Sequence, residues 1–161
     1  MQALTPNDVK VALKEHGIDS EFIVAEGSTA TAEMAAEQLG CTVGQIAKSL
    51  CFVLKKTGAP VLVVASGETT VDDRKLSSLL GVGRKQVRMA RAEQCIELFG
   101  YAPGGVPPVG HRRDDVQIFL DEALRQYDSV YAAAGSSSVN FGITPDDLAQ
   151  VTAGTWVDVA K

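Results

Sequence analysis

The segment Tyr101–Gly110 reads Tyr-Ala-Pro-Gly-Gly-Val-Pro-Pro-Val-Gly and constrains the fold more than any other stretch of the chain. Three glycines and three prolines in ten residues exclude a helix and a central strand, because proline lacks an amide donor and has a fixed φ. The segment lies between two regions of regular hydrophobic patterning, so we interpret it as a stiff internal loop. Glycine lets main-chain N–H groups approach a ligand closely, which makes this loop a candidate binding element.

The composition is that of a globular protein. The 161 residues are 45% apolar and 22% charged, which predicts one domain over residues 1–161. A net charge of −5 argues against a broad nucleic-acid-coating surface but permits a local basic patch. The N-terminus lacks the regions of a signal peptide, and the apolar run 60–65 is too short to cross a bilayer. We expect a cytoplasmic protein without a membrane partner.

The three cysteines, Cys41, Cys51 and Cys95, predict neither a disulfide framework nor a zinc site. Cys51 lies in an apolar run and is predicted to be a core residue. A catalytic thiol would need His16 or His111 as its partner. The chain has no Walker loop, nucleophile elbow or zinc-protease motif, so we expect no cofactor and no metal.

Helix boundaries are marked by capping residues. Thr5-Pro6 and Thr144-Pro145 combine a threonine N-cap with a proline in the first turn, and Gly40 and Gly81 are typical C-terminal caps. These signals predict helices at 6–16, 31–40, 43–48, 71–80 and 145–151, with two more near 92–99 and 121–127. Runs of β-branched and apolar residues predict strands at 21–25, 49–55, 61–66, 116–120, 129–133, 139–143 and 155–159.

The strands predicted at 49–55 and 61–66 are apolar on both faces and are joined by a hairpin-like connection. We therefore expect them in the middle of the molecule. Helices and strands are interspersed without the regular alternation of a doubly wound sheet. The predicted fold class is α+β (mixed α/β), with a mixed, largely antiparallel sheet curled into a barrel and surrounded by helices.

Lys48 is the first candidate functional residue. It is expected at the end of the predicted helical turn 43–48, directly before a buried strand. One interpretation is a cation that neutralises a helix C-terminus while its ammonium group reaches water. The other is a lysine that points into a pocket and binds an anion such as phosphate.

A segment of small residues, Ala132–Ser138, is the second candidate. It is either a plain turn or a source of space and main-chain donors for an oxyanion, together with the loop at Gly104-Gly105.

A basic stripe, Arg84, Lys85, Arg88 and Arg91, is the third candidate. In a helix, three of these arginines would share one face, which is either solvated or in contact with a nucleic-acid backbone. His111 follows the Gly-Pro loop, and we interpret it as a surface residue rather than a general base.

Four motifs in order resemble the YbaK family, the free-standing relatives of the editing domain of bacterial prolyl-tRNA synthetase. They are Thr31–Gly40, Gln45–Phe52, Gly104–Gly110, and Gly135 with the serines that follow it. The resemblance covers the chain from about residue 31 to residue 148. Alanine-specific relatives carry a Gly-His-Pro-type sequence where this chain has Gly135-Ser136-Ser137-Ser138, so the resemblance leaves the amino acid open.

The resemblance implies a trans-editing aminoacyl-tRNA deacylase. It would hydrolyse the ester of a mischarged tRNA, tRNA-Pro carrying a small amino acid, with a positioned water and no protein nucleophile. Lys48 and Gly135 would be catalytic, with Lys48 holding the 3′-terminal phosphate or ribose. The implied substrate-binding residues are Thr31, Ser49, Gly104, Gly105, Val106, Ser136, Ser137 and Arg88. The implied partners are the tRNA acceptor end and an aminoacyl-tRNA synthetase, with the chain a monomer or weak homodimer.

Two other functions fit the same residues. One is a non-catalytic module that binds a tRNA end or a nucleotide beside a synthetase. The other is a hydrolase of small esters or amides that uses the same loops for an oxyanion.

Overall fold

The computed structural model describes residues 1–161 and contains five α-helices and eight strands. The helices are α1 (Pro6–Glu15), α2 (Ala32–Leu39), α3 (Asp73–Leu80), α4 (Ala92–Gln94) and α5 (Pro145–Thr152). The strands are β1 (Phe22–Val24), β2 (Ile46–Leu54), β3 (Pro60–Ser66), β4 (Val87–Met89), β5 (Gln117–Asp121), β6 (Val130–Ser136), β7 (Val139–Ile143) and β8 (Thr155–Val157). Short 3₁₀ turns occur at Val43–Gln45, Arg84–Gln86 and Glu122–Gln126, and a π-helical turn, Cys95–Phe99, continues α4.

The strands form one mixed sheet in the order β1-β7-β6-β2-β3-β5-β8, with β4 paired to β2. Pairing is antiparallel between β1 and β7, β6 and β7, β2 and β3, and β2 and β4. It is parallel between β2 and β6, β3 and β5, and β5 and β8. The predicted mixed α/β fold is confirmed. No pairing joins β1 to β8, so strand hydrogen bonds do not close the sheet into a barrel.

The hairpin of β2 and β3 lies at the centre of the sheet, as its apolar sequence predicts. Every residue of β3 is buried, and the pairing runs from Ala47 opposite Ser66 to Val53 opposite Pro60. Side chains alternate between the two faces, so Leu62 belongs to the larger core cluster and Val63 to the smaller one. Burying one such side chain contributes about 1.5–3 kcal/mol, and this hairpin is therefore a rigid support for residues at its ends.

The capping signals identify most helix boundaries correctly. Thr5 and Thr144 are the N-caps of α1 and α5, and proline follows each of them. Gly40 and Gly81 end α2 and α3 in the left-handed conformation, with φ of 67° and 68°. The start of α3 differs from the prediction, because the Asp72 carboxylate is the N-cap and accepts hydrogen bonds from two main-chain N–H groups.

The predicted helix 43–48 is wrong beyond Gln45. The capping box between Thr42 and Gln45 forms, but it closes only one 3₁₀ turn. Strand β2 begins at Ile46, which pairs with Tyr131 of β6. A single helical turn is marginal by itself, so the strand pairing determines the conformation of these residues. Lys48 is consequently a strand residue and does not cap a helix.

The basic residues 84–91 do not form one helix either. Arg84 lies in a 3₁₀ turn, Arg88 lies in the middle of β4, and Arg91 is the N-cap of α4. The shared helical face that their spacing predicts is therefore absent.

Candidate active site

The site is a gap in the sheet beside β2. Strand β6 pairs with β2 only at Ile46 and Ala47, and β4 pairs with it only from Phe52 to Leu54. Between these contacts, residues 48–50 have no strand neighbour on this side. The Gly-Pro loop covers the gap, and the space between them is a cleft of about 350 Å³.

Three parts of the chain contribute most of the walls. They are the start of α2, the open edge of β2 and the Gly-Pro loop. Because these segments are distant in sequence, only the fold brings them together. Five of the residues predicted from the sequence line the cleft, namely Thr31, Lys48, Ser49, Gly104 and Val106.

Lys48 is a half-buried cation without an acidic partner. Its Nζ donates a hydrogen bond of 2.9 Å to the Thr69 carbonyl oxygen. The ion pairs of the structure involve Lys75, Arg91 and Arg113, and none involves Lys48. An ammonium group has three donors, so two remain available to a ligand in the cleft. The Thr69 carbonyl holds the ammonium in place without neutralising its charge.

Ser49 presents both its main chain and its hydroxyl at this gap. The Cys51 carbonyl accepts a hydrogen bond of 2.9 Å from the Ala90 N–H on the β4 side of β2. Residues two apart in a strand direct their main-chain groups to the same side, so those of Ser49 face the gap. The Ser49 Oγ is buried without a hydrogen-bond partner. Buried polar atoms are normally hydrogen-bonded, so the Ser49 hydroxyl is an exception beside the cleft.

The Gly-Pro loop is joined through its main chain to the end of β6, behind the cleft. The Gly135 N–H donates a hydrogen bond of 2.9 Å to the Gly105 carbonyl. A Cβ atom on Gly105 would lie only 2.9 Å from main-chain atoms of Ser136, so a side chain is excluded there. Gly135 has a φ of 92° and is not among the lining residues. Its amide is already used, and the loop contact fixes the cleft wall at Gly104.

The serine run supports the opposite wall. The Ser137 carbonyl accepts a hydrogen bond of 3.0 Å from the Thr29 hydroxyl, and the buried Asn140 amide donates to the same hydroxyl at 2.7 Å. Ser136 and Ser138 are linked to each other through their hydroxyls at 3.2 Å. Neither Ser136 nor Ser137 lines the cleft, and Ser137 holds the segment that leads into α2.

Sequence reasoning missed three residues with polar side chains that line the cleft, namely Thr29, Glu33 and Asn140. Asn140 offered a usable signal, because it is a polar residue within an otherwise apolar strand pattern. The other two lie in a loop and in a first helical turn, where polar residues are common and carry no distinct signal.

Arg88 lies outside the cleft. It is opposite Val53 on β2, five residues from Lys48 and therefore about 17 Å away along the strand. The residue is exposed, and its Nε lies 3.5 Å from the Lys85 carbonyl oxygen.

His111 is half-buried and is not a free surface side chain. Its Nε2 lies 2.8 Å from the Pro107 carbonyl oxygen, and its ring packs edge-on against Phe99 at 5.7 Å. Burial lowers the pKa of His111 below its usual value, so the ring is neutral at pH 7 and donates to that carbonyl. His111 does not line the cleft, and its hydrogen bond holds the Gly-Pro loop in shape.

Cys51 is a core residue, as predicted, and its exposed fraction is 6%. The thiol of Cys95 forms a hydrogen bond with it, which together with burial raises the pKa of Cys51 far above the ordinary value. A thiol in this state is not a nucleophile at pH 7.

Comparison with known proteins agrees with this geometry. Residues 26–151 match the family model of the aminoacyl-tRNA editing domain. The protein YwhH of Bacillus subtilis is 34% identical over 137 residues, which cover 84% of each chain. EbsC of Enterococcus faecalis, a proposed Cys-tRNA(Pro)/Cys-tRNA(Cys) deacylase, is 31% identical over 93% of this chain and 86% of its own. The crystal structure of a proposed trans-editing enzyme for prolyl-tRNA synthetase superposes with a TM-score of 0.89 at 36% identity, over 100% of this chain and 99% of that one.

The chain belongs to the aminoacyl-tRNA editing domain family. It is thus a hydrolase of the trans-editing deacylase class, which acts on aminoacyl-tRNA and is related to prolyl-tRNA synthetase. The resemblance noted from the four sequence motifs is confirmed. None of the helices combines the length and the apolar character that a bilayer crossing requires.

Proposed function

We propose that the cleft binds the 3′ end of a mischarged tRNA and that a water molecule held there hydrolyses the aminoacyl ester. The observation that carries this proposal is the uncompensated Lys48 ammonium at a cleft that is edged by the unpaired main chain of Ser49. A cation and neutral donors that line one cleft suit a substrate that carries a phosphate next to an ester carbonyl.

In this proposal Lys48 holds the terminal phosphate or ribose. Two of its N–H donors are free, and hydrogen bonds to charged groups contribute about 1.5–3 kcal/mol each. The Thr69 carbonyl prevents the ammonium from swinging out of the cleft, which reduces the entropy lost when the substrate binds.

The N–H and hydroxyl of Ser49 would then stabilise the oxyanion. The water oxygen attacks the ester carbonyl carbon, negative charge develops on the carbonyl oxygen, and the ribose oxygen leaves with a proton. An aminoacyl ester is already activated, so positioning and donors suffice without a protein nucleophile. Gly104 and Val106 would enclose the acyl group, with Gly105, Gly135, Ser136 and Ser137 fixing the wall from behind.

We infer a small amino acid, because a cleft of about 350 Å³ must admit the terminal ribose as well as the acyl group. Ala32, Ala35, Ala47 and Ala133 line the cleft, so its walls consist largely of short side chains. A synthetase pocket separates substrates by only about 1–3 kcal/mol per methylene, and a second, smaller site removes the errors that remain. The similarity to EbsC supports tRNA-Pro as the tRNA.

The net charge of −5 limits how much tRNA the protein can hold. We propose that only the acceptor end is bound, with Lys48 at the 3′ terminus and exposed Arg88 near the adjoining nucleotides. Binding should then be modest and weaken with salt. The chain would work in the cytoplasm beside prolyl-tRNA synthetase, as a monomer or weak homodimer.

The test is a panel of tRNA-Pro charged with alanine, cysteine or serine, in which loss of the ester is followed over time. Hydrolysis of at least one member, with free aminoacyl esters hydrolysed far more slowly, is expected. Binding across the whole panel without hydrolysis would identify a binding module instead. Equal rates on free esters would identify a small-ester hydrolase.

A further inference from the structure

The cleft contains two charged residues, and they carry opposite charges. Among all the residues that line it, only Glu33 and Lys48 have acidic or basic side chains. Glu33 comes from the first turn of α2 and Lys48 from β2, so the two charges project from different walls. The remaining lining is neutral, which makes this pair the main electrostatic feature of the cleft.

The Glu33 carboxylate is uncommitted within the protein. It forms no ion pair, since the acidic partners in the structure are Asp158, Glu93 and Asp115. It also accepts no hydrogen bond. The N-terminal cap of α2 is the Thr31 hydroxyl, which accepts a hydrogen bond from the Met34 N–H, so Glu33 is not needed for capping. An acid in a first helical turn interacts favourably with the helix dipole. That role alone would have no effect on the choice of substrate.

The substrate of the proposed reaction has the complementary pair of charges. An aminoacylated 3′ end carries a phosphate and, on the other side of the ester, the α-ammonium group of the amino acid. We propose that Glu33 binds this α-ammonium while Lys48 binds the phosphate, so that the cleft selects esters of amino acids with a free amino group. This inference depends on the proposed function, because it assigns the orientation of the substrate in that same cleft.

A consequence is discrimination against peptidyl-tRNA and other N-acylated tRNAs. Their α-nitrogen is an uncharged amide, so it gains nothing from Glu33 and leaves the carboxylate unpaired beside the acyl group. The carboxylate would thereby slow the hydrolysis of N-acylated tRNAs a few fold relative to aminoacyl-tRNA, independently of the size of the cleft.

The experiment compares alanyl-tRNA with lactyl-tRNA, and seryl-tRNA with glyceryl-tRNA, each pair on tRNA-Pro. In each pair an α-hydroxyl replaces the α-ammonium at nearly constant shape. The ratio of kcat/KM within a pair is measured for the wild type, for Glu33→Gln and for Glu37→Gln. Glu37 is an exposed residue one turn further along α2 that does not line the cleft, so its variant is the matched control. Comparing ratios between variants cancels the different chemical reactivity of the two esters.

Glu33→Gln should lower the amino-to-hydroxy ratio about two- to fivefold, as for an exposed ion pair, while Glu37→Gln keeps the wild-type ratio. A purely structural role of Glu33 would change both members of a pair equally and leave the ratio intact, which would overturn this inference alone. If the wild type hydrolysed neither these esters nor cysteinyl-tRNA-Pro, the proposed function itself would be overturned, and the assignment of Glu33 with it.

Discussion

Replacing Lys48 with alanine should abolish most of the deacylase activity while leaving the protein folded. The variant loses two donors that are free to bind the substrate, each contributing about 1.5–3 kcal/mol as a hydrogen bond to a charged group. Their sum of about 3–6 kcal/mol corresponds to a fall in kcat/KM of roughly 100-fold or more at about 1.4 kcal/mol per factor of ten. Within the protein only the bond to the Thr69 carbonyl is lost, about 1 kcal/mol, so the Tm should fall by about 2–4 °C.

The assay measures kcat/KM on mischarged tRNA-Pro, with thermal unfolding of the same preparations. Lys56→Ala is the matched control, because Lys56 is an exposed lysine in the turn between β2 and β3 and lies outside the cleft. Activity in Lys48→Ala within a few fold of this control would refute the assignment of the lysine. A loss of activity accompanied by a large fall in Tm would also contradict the reasoning, because it would show a structural role.

Three further substitutions test the edge of the cleft, the contact behind it and the hydrogen bond that holds the Gly-Pro loop. Ser49→Ala removes a buried hydroxyl without a partner, so it should lower kcat on mischarged tRNA about 100-fold while the Tm stays level or rises. Gly105→Ala places a Cβ atom 2.9 Å from the main chain of Ser136 and should destabilise the protein by about 1–3 kcal/mol in urea unfolding; unchanged stability would show that the two loops can separate. Because the pKa of His111 is lowered in the folded state, the unfolded chain binds more protons, and the free energy of unfolding should fall as the pH drops below about 6.5. His111→Gln should reduce this fall, as measured by urea unfolding at about pH 7.5 and 5.5.

The elements that the sequence predicts correctly are those with strong local signals. Thr5 and Thr144 start helices where expected, because an N-cap threonine followed by proline determines the local conformation almost alone. The central hairpin is also found, because two strands that are apolar on both faces are stable only inside the sheet.

The position of Lys48 could not be predicted from local signals. The Thr42–Gln45 capping box is a true helix start, but Ile46 and Ala47 pair with residues more than eighty positions away on β6. Long-range pairing of this kind leaves no mark in the local sequence. The same limit applies to Arg88, whose spacing from its basic neighbours suggested a helix although the residue pairs with β2.

For the site, the residue types were recognised better than their roles. The glycines and serines of both loops belong to one structure, but only Gly104 borders the cleft, while Gly105 and Gly135 bond to each other behind it. Which of several adjacent glycines faces a ligand depends on φ angles and on loop-to-loop contacts, and neither is encoded in composition. The absence of a partner for the Glu33 carboxylate likewise depends on the tertiary structure and cannot be deduced from the sequence.

The interruption beside β2 has a consequence for how such a protein can change. Main-chain amides are present whatever side chains surround them, so a donor supplied by the peptide backbone survives most substitutions. The alanines that line the cleft, Val106 and Glu33 can then be exchanged one at a time. Such exchanges would alter which acyl group enters the cleft, while the main-chain donor that promotes hydrolysis is kept. A strand that leaves a few peptide units without a strand partner thus separates substrate recognition, which depends on side chains, from hydrolysis, which depends on the main chain.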